Sequence, residues 1–395
     1  MNQTRLQFSF REAFHTALDQ RLPVALWRMP SQAEKHLIVD LSGKPTHLKP
    51  NFAELDKGFL VAPFENQEKS YFLYADLHFR ESSDEINESF RAQTYGTNIY
   101  EARDAFFEQL KSGKTSTKSF LFEHPSRDTS VAWENYREAL LEGVEEIRRG
   151  TFQKFVLSRT KQIPLKDDFS ALETFFTLCE KYPTAFVSLV SAPKIGTWIC
   201  ATPETLIAQD KEGVFRTMAL AGTQARNGLE DLRQASWRQK EIEEQALVSR
   251  YIIDCFKKIR LRNFHEHGPR TVAAGNLIHL RTDFWVDTKA NNFPELPTVM
   301  LELLHPTSAV CGMPKEPALQ FIKEHEGYDR SFYSGFLGPI HVEEESHLFV
   351  QLRCMQFRRD AAILYAGGGI TIDSEPEKEW QETEMKFQTL GAVLS

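Results

Sequence analysis

Tyr365-Ala-Gly-Gly-Gly-Ile-Thr-Ile-Asp-Ser-Glu-Pro-Glu-Lys-Glu-Trp-Gln-Glu-Thr-Glu-Met-Lys386 is the stretch around which the rest of this chain can be ordered. A β-prone run from Ala361 to Ala366 enters three glycines, and a helix pattern then opens with Ser374 three residues before Glu377. That spacing predicts a capping box, with Pro376 tolerated in the first turn, so the reading is strand, glycine turn, helix. On the helix Glu379, Glu382 and Lys386 share one face, beside an apolar stripe marked by Trp380 and Phe387. Taken alone, such a face reads as solvated.

A second stretch matches it. In Lys240-Glu-Ile-Glu-Glu-Gln-Ala-Leu-Val-Ser-Arg250, Glu241 and Glu244 are again three apart on a helix whose apolar residues are read as Ile242, Ala246, Ile253 and Phe256. Like charges at this spacing are mildly destabilising. Two such pairs facing one site call for a hard cation between them, and carboxylate oxygens suit Mg²⁺, which keeps several waters and takes few protein ligands.

The totals set bounds. With 395 residues and 41% hydrophobic content the chain can bury a sizeable core. Its net charge of −8 argues against nucleic acid or an anionic membrane as partner, and leaves an anionic small substrate possible only beside local cations. Five scattered cysteines, with no CxxC pair, point to reduced buried thiols. The first residues lack the apolar core of a signal peptide and no run of eighteen apolar residues occurs, so a cytoplasmic location without membrane attachment is expected. No HExxH occurs, and His265-Glu-His267 reads as a polar loop.

Along the chain, Leu22–Met29, His36–Leu41, Gly58–Phe64 and Ser70–Phe79 read as strands of a small sheet. A helix is expected near Tyr100–Leu110, followed by a polar linker or lid, Lys111–Lys118, which lacks phosphate-loop spacing. Trp133, Tyr136, Leu140, Val144 and Ile147 fall at helical spacing before a capping Gly150. The strand Thr151–Arg159 follows, with Lys154 placed on one face with Phe152 and Val156. If that face is buried, Lys154 is desolvated and suited to act as a base; the reading favoured by this segment alone is a lysine that snorkels at a sheet edge.

Further strands are expected at Ala185–Val190, Thr197–Ala201 and Thr205–Ala208, and Glu204 sits at a junction either as a solvated turn residue or as an acid with a raised pKa. Ala219–Arg226 reads as a glycine-containing turn able to hold an anion. Leu304–Pro314 reads as a loop before a helix to about His325. Residues 328–339 lead into a hairpin, whose return strand Leu348–Phe357 carries Arg353 among apolar neighbours. An unpaired guanidinium there would be costly, so a carboxylate partner is implied, from substrate or protein. The order of elements is not a βαβ repeat and AGGG lacks the GxGxxG spacing, so the fold class read from the sequence is α+β with largely antiparallel sheets.

Together QKFVLSR, ATPETL, ALAGT, KEIEEQALV, LHPTSAVCG, the YSG turn, FVQLRC and the opening stretch resemble the chorismate-utilising enzymes, over about Trp133 to Ser395. The resemblance implies a two-sheet antiparallel α/β sandwich flanked by helices, with residues 1–130 as its variable N-terminal part and 131–395 as the chorismate-binding catalytic region. It implies Lys154 as the general base that activates water and Glu204 as the acid that protonates the leaving hydroxyl. Glu244 and Glu382 would be the main Mg²⁺ ligands, with Glu241 and Glu379 beside them. Gly222, Thr223, Arg353, Gly368, Gly369 and Lys386 would bind substrate carboxylates, and Tyr333 and His279 would line the site. The substrate would be chorismate, a dianion that acidic clusters can receive only through a bridging cation; a monomer is expected.

Within the family, members that use ammonia lack a lysine at the base position, so Lys154 favours water as nucleophile. Aminodeoxychorismate synthases carry a second lysine where this chain has Ala221, and members that go on to eliminate pyruvate usually carry threonine where it has Ala309. The implied activity is therefore that of an isochorismate synthase, with a salicylate synthase as the alternative. Two positions depart from the family pattern: Gln245 stands where histidine is common, and Ala219 where proline is usual.

Overall fold

A computed structural model of the chain describes residues 8–82, 85–90, 99–113, 130–226, 229–274 and 277–394. In chain order the described helices are α1 (Phe10–Asp19), α2 (Ile99–Ser112), α3 (Trp133–Arg149), α4 (Ala171–Lys181), α5 (Gln239–Lys258), α6 (Leu296–Leu304), α7 (Lys315–His325) and α8 (Pro376–Gly391). The strands of the first part are β1 (Val24–Arg28), β2 (Lys35–Val39), β3 (Thr46–Leu48), β4 (Gly58–Ala62), β5 (Ser70–Tyr74), β6 (Leu77–Ser82) and β7 (Glu85–Phe90). Then follow β8 (Lys154–Pro164), β9 (Phe186–Ala192), β10 (Gly196–Thr202), β11 (Thr205–Gln209), β12 (Val214–Ala225), β13 (His265–Ala274) and β14 (Leu277–Asp287). The last are β15 (Gly312–Met313), β16 (Phe336–Ile340), β17 (Ser346–Val350), β18 (Cys354–Phe357) and β19 (Ala361–Ile370).

They form two antiparallel sheets. One has the order β15-β8-β19-β18-β10-β9-β1-β2-β6-β7 and the other β13-β14-β12-β11-β17-β16-β4-β5-β3. Side chains from both, among them Trp27, Phe59, Trp198 and Leu337, fill the gap between the sheets, and Phe186 stacks on Phe349 with ring centres 3.9 Å apart. Helices close the outer faces over two further apolar clusters, one with α1, α2 and α4 and one with α3, α5, α6 and α7. The fold is thus an α+β sandwich, because each sheet has two apolar faces and each needs a partner layer.

Among the described residues the chain changes sheet six times, and three of these crossings join strands separated by no more than three residues. Ser70–Phe79 is not one strand: β5 lies in the nine-stranded sheet and β6 in the ten-stranded one, with buried Asp76 at the break accepting from the Leu41 amide at 2.9 Å. The early strands therefore extend both large sheets instead of forming a small one. Leu348–Phe357 divides in the same way into β17 and β18, and β10 crosses to β11 through Thr202-Pro203-Glu204. Hydrophobic periodicity cannot register such a crossing, because both halves alternate in the same way.

Other boundaries differ locally. The helix before Gly150 forms as read, with Gly150 in the left-handed region at φ 83°. Helix α1, for which no expectation was set, carries the capping box Ser9/Glu12. Phe152 lies outside β8 and packs on Phe155 and Phe321, so it does not share the face of Lys154 and Val156. On α5, Ile242 and Ala246 face solvent, and the buried stripe is Glu241, Gln245, Val248, Ile252, Cys255 and Phe256. The polar fragment Lys111–Lys118 lies outside the described residues from 114 onward.

Candidate active site

The glycines of the opening stretch are strand, not turn. β19 continues through Gly367, Gly368 and Gly369 to Ile370, in antiparallel register with Ser158, Leu157, Val156 and Phe155 of β8. At two of them small size is required by what approaches. A Cβ at 369 would overlap the Glu244 carboxylate and one at 367 would lie 2.9 Å from the Tyr333 hydroxyl, while one at 368 would meet Glu379 Oε2 at an ordinary contact of 3.4 Å. Since successive residues face opposite sides of a strand, the glycine end of β19 passes between Glu244 on one face and the carboxylates of α8 on the other. The expected capping box of α8 does not form either: Pro376 is the first helical residue, Glu375 is the cap, and Ser374 Oγ accepts from the Thr371 amide at 3.0 Å.

Two of the sheet crossings meet at this point. The Val350 amide donates to the Glu204 carbonyl at 3.0 Å, and the Ala201 amide to the Arg353 carbonyl at 3.0 Å. Where the backbone leaves one ladder for the other, the side chains of Glu204 and Arg353 project into a cavity between the sheets. Arg353 adopts φ 45°, a left-handed conformation that non-glycine residues avoid and that tertiary contacts must hold. Among the described residues it forms no ion pair, so the carboxylate partner inferred from the sequence is not supplied by them. Burial pushes the Glu204 carboxyl up to about 7, against the opposing pull of Arg353 and Lys154.

Ala219–Arg226 is also strand. β12 runs through it with a bulge between Ala221 and Thr223, where Gly222 takes φ 67° and the Glu241 Cβ packs close behind. His279, opposite Thr223 on β14, has Nδ1 3.0 Å from the Gly222 carbonyl and 3.3 Å from Thr223 Oγ1, while Nε2 is buried without a partner. Burial and the Arg353 charge push this imidazole down to about 3, so it is neutral, with the Nδ1 proton on the carbonyl and Nε2 an open acceptor.

Glu241, Glu244, Glu379 and Glu382 are each matched with a cation. The buried Lys154 amine donates to Glu244 Oε1 at 3.0 Å, and Lys386 to Glu382 Oε1 and the Gly367 carbonyl, both at 2.7 Å. Lys240 pairs with Glu379, and Arg238 folds back on Glu241 from the start of the same helix. Burial works to raise the Glu244 carboxyl, but Lys154, Lys386 and Lys240 outweigh it and hold the group below its usual range. Burial raises Glu379, with Lys240 opposing and Glu382 reinforcing, and leaves its Oε2 without a partner.

The cavity enclosed by these groups has a volume of about 60 Å³ and is lined by Glu204, Gly222, Thr223, Glu244, His279, Tyr333, Arg353, Gly369, Glu382 and Lys386 of the residues singled out in the sequence. Lys154 reaches it through Glu244. Gly368 faces α8 from the other side of the strand, Glu379 lies in an adjoining groove of about 670 Å³ that shares Thr223 and Glu382, and Glu241 packs behind the bulge. Gly367, Val156, Leu220, Val310 and Leu352 also line the cavity; only the triple glycine could have flagged the first, and nothing local flags the apolar four. Another groove, of about 600 Å³ between α3 and α7, holds none of these residues.

The sequence model described as "Chorismate binding enzyme" matches residues 62–395. The chain belongs to the chorismate binding enzyme family. Among curated proteins, isochorismate synthase EntC of Escherichia coli strain K12 is 31% identical over 246 residues, 61% of this chain and 62% of that protein. Isochorismate synthase DhbC of Bacillus subtilis strain 168 is 28% identical over 271 residues, 65% of this chain and 67% of that one. The match to EntC thus spans less than two thirds of its length. In fold, the chain resembles MenF, the menaquinone-specific isochorismate synthase of Escherichia coli, with a TM-score of 0.78 at 20% identity over 100% of this chain and 94% of that one. The family's two-sheet architecture is the one described above, and the matched region begins inside β4 and β5's sheet, at Ala62, well before α3.

The carboxylate set suits a hard divalent cation in donor type and charge, and Glu379 Oε2 is an open buried acceptor. Among the described residues no three His, Cys, Asp or Glu side chains converge on one point. The lysine and arginine partners take up the negative charge instead.

Proposed function

We propose that this protein is an isochorismate synthase, converting chorismate reversibly to isochorismate with Mg²⁺. The observation that carries the reading is a protonatable buried acid, Glu204 at about 7, and a fully buried amine, Lys154, beside a cavity that also holds Arg353, which has no ion-pair partner among the described residues. That arrangement fits general acid and base on either side of a bound dianion. Arg353 would take one substrate carboxylate by its two-pronged guanidinium, and His279 Nε2 would accept from a substrate hydroxyl. Lys154, released from Glu244 and after its ammonium has given a proton to solvent, would take the proton of the water that adds at C2. As the double bonds shift, Glu204 would give its proton to the departing C4 hydroxyl. Protons balance, because one enters Lys154 and one leaves Glu204, and exchange with solvent returns the proton from Lys154 to Glu204 before the next turnover.

Glu244 and Glu382, with Glu241 and Glu379 beside them, would hold Mg²⁺, and the ion would supply positive charge for an anionic substrate. Ala221 and Ala309, which line or adjoin the cavity, leave it without the extra lysine and threonine that mark the amine-forming and pyruvate-eliminating members.

The test is chromatography of products after incubating the purified protein with chorismate, with Mg²⁺ or with EDTA. A chorismate and isochorismate mixture that reaches the same ratio from either compound, and forms only with Mg²⁺, is expected. Stoichiometric pyruvate would move the assignment to a salicylate synthase, and no turnover at any Mg²⁺ concentration would refute both.

A further inference from the structure

Behind the cavity lies a charged pair that the chemistry above does not use. Glu326, just past α7, and Arg330, four residues on, are both buried and form an ion pair with each other. Burying such a pair costs several kcal/mol of desolvation in general, so its remaining bonds have to be accounted for. They all go to backbone or side chains of segments that line the cavity. Arg330 donates to the Val310 carbonyl and to the Val156 carbonyl, both at 2.8 Å, and its own carbonyl accepts from the Tyr333 amide at 2.9 Å. Glu326 Oε1 accepts from the Ser158 amide and the Ser158 hydroxyl, both at 2.7 Å.

The pattern follows from the sheet. One edge of β8 is paired with β19 from Phe155 to Pro164, while on the other β15 covers only Lys154 and Phe155, and the Val156 amide reaches the Cys311 carbonyl just beyond it. Past that point the outward backbone groups of the strand, the Val156 carbonyl and the Ser158 amide, have no strand to pair with. Arg330 and Glu326 meet these two groups in the places a neighbouring strand would have used. The guanidinium then spans to Val310, next to Ala309 in the connection that follows α6, and packs over the Phe64 ring at 4.3 Å. Tyr328 adds a bond between its hydroxyl and Ser158 Oγ at 2.6 Å.

We propose that Glu326 and Arg330 are positioning residues of the active site, acting as a surrogate strand that holds β8, the connection at Val310 and the turn bearing Tyr333 in register, so that Lys154, two residues from Val156, stays aimed at Glu244 on the cavity wall. The inference rests on the proposed isochorismate synthase activity for its kinetic readout and on hydrogen exchange for one independent of it. A pair that served only to hold the fold together would affect turnover only in step with stability. A positioning pair affects turnover beyond it, because displacing a reacting group by about 1 Å costs on the order of 100-fold in rate.

The experiment compares wild type with Arg330→Lys, which keeps the charge but cannot make the forked contacts, and with the double variant Glu326→Leu/Arg330→Met, since apolar replacement of a whole buried pair is often neutral for stability. Each is assayed at temperatures equally far below its own Tm. The expected result is a kcat on the order of 100-fold lower with a chorismate KM within about threefold. Amide exchange should be at least tenfold faster in residues 154–158 and around 310, and unchanged in β9 and β10. Turnover and exchange equal to wild type in a folded variant would overturn the proposal, and so would failure of both variants to fold, which would make the pair a folding element. If wild type itself does not turn over chorismate, the functional reading fails, and the exchange comparison still decides the role of the pair.

Discussion

Glu204→Gln isolates the energetic consequence of placing a carboxyl where the chain crosses between sheets. The native carboxyl is buried, and its pKa is raised from 4.5 to about 7, chiefly by loss of solvent and against the opposing charges of Arg353 and Lys154. Since a tenfold change in proton affinity is worth about 1.4 kcal/mol, the native state disfavours the ionised form by about 3 kcal/mol. An acid whose folded-state pKa is raised contributes its full stability below the unfolded value of 4.5 and loses it as pH rises to the folded value. Wild type should therefore lose about 3 kcal/mol between pH 4.5 and pH 7 from this one group, and no more above it. Glutamine has nearly the shape of the protonated acid and cannot ionise. Its Tm should match that of wild type near pH 4.5 and exceed it by about 4 °C at pH 8 for a chain of this length, while turnover of chorismate is lost. Differential scanning calorimetry across that pH range is the assay. A Tm difference that does not change with pH would refute the argument, since it would mean that Glu204 is ionised without penalty and is no acid at neutral pH.

Gly369→Ala should lower kcat on the order of 100-fold with little change in Tm, because the new methyl overlaps the Glu244 carboxylate while the strand backbone accepts alanine; steady-state kinetics beside thermal unfolding checks it. Lys154→Met should abolish turnover and cost about 3 kcal/mol, since Glu244 loses the partner at 3.0 Å; adding Glu244→Gln should restore the Tm and not the activity. A third expectation concerns the buried stack of Trp27, His36 and His78, where His36 Nδ1 lies 3.1 Å from His78 Nε2 and Lys57 Nζ 2.9 Å from His78 Nδ1. Burial pushes His36 down to about 4 from 6.5, and His78 well below its usual value. The unfolded chain takes up these protons first, so stability is full above pH 6.5 and falls by about 3 kcal/mol from His36 alone as pH drops to 4. His36→Asn should flatten that acid slope in thermal unfolding, and an unchanged slope would show that the histidines are not buried neutral.

Local pattern carried much of this chain. The 3.6-residue period fixed α3 and its end at Gly150, and the i, i+3 glutamates named two helices, α5 and α8, of which Glu244 and Glu382 line the cavity, because both signals depend only on neighbours along the helix. The motif set named the family without help from the fold, and the match over residues 62–395 agrees. What the sequence could not decide was anything set by two segments meeting. The triple glycine reads as a turn because glycine is a turn residue, yet it is strand, and Glu244 and Tyr333 leave no room for a Cβ at 369 and 367. Ser70–Phe79 and Leu348–Phe357 read as single strands because alternation has no term for which sheet a residue joins. For the same reason Glu204 could not be told from a solvated turn residue until β10 and β11 were seen in different sheets, with Arg353 at the neighbouring crossing. The residue types at the site are written in the sequence; the burial that makes Glu204 an acid near neutral pH exists only between the two sheets, since desolvation belongs to the packing and not to the residue.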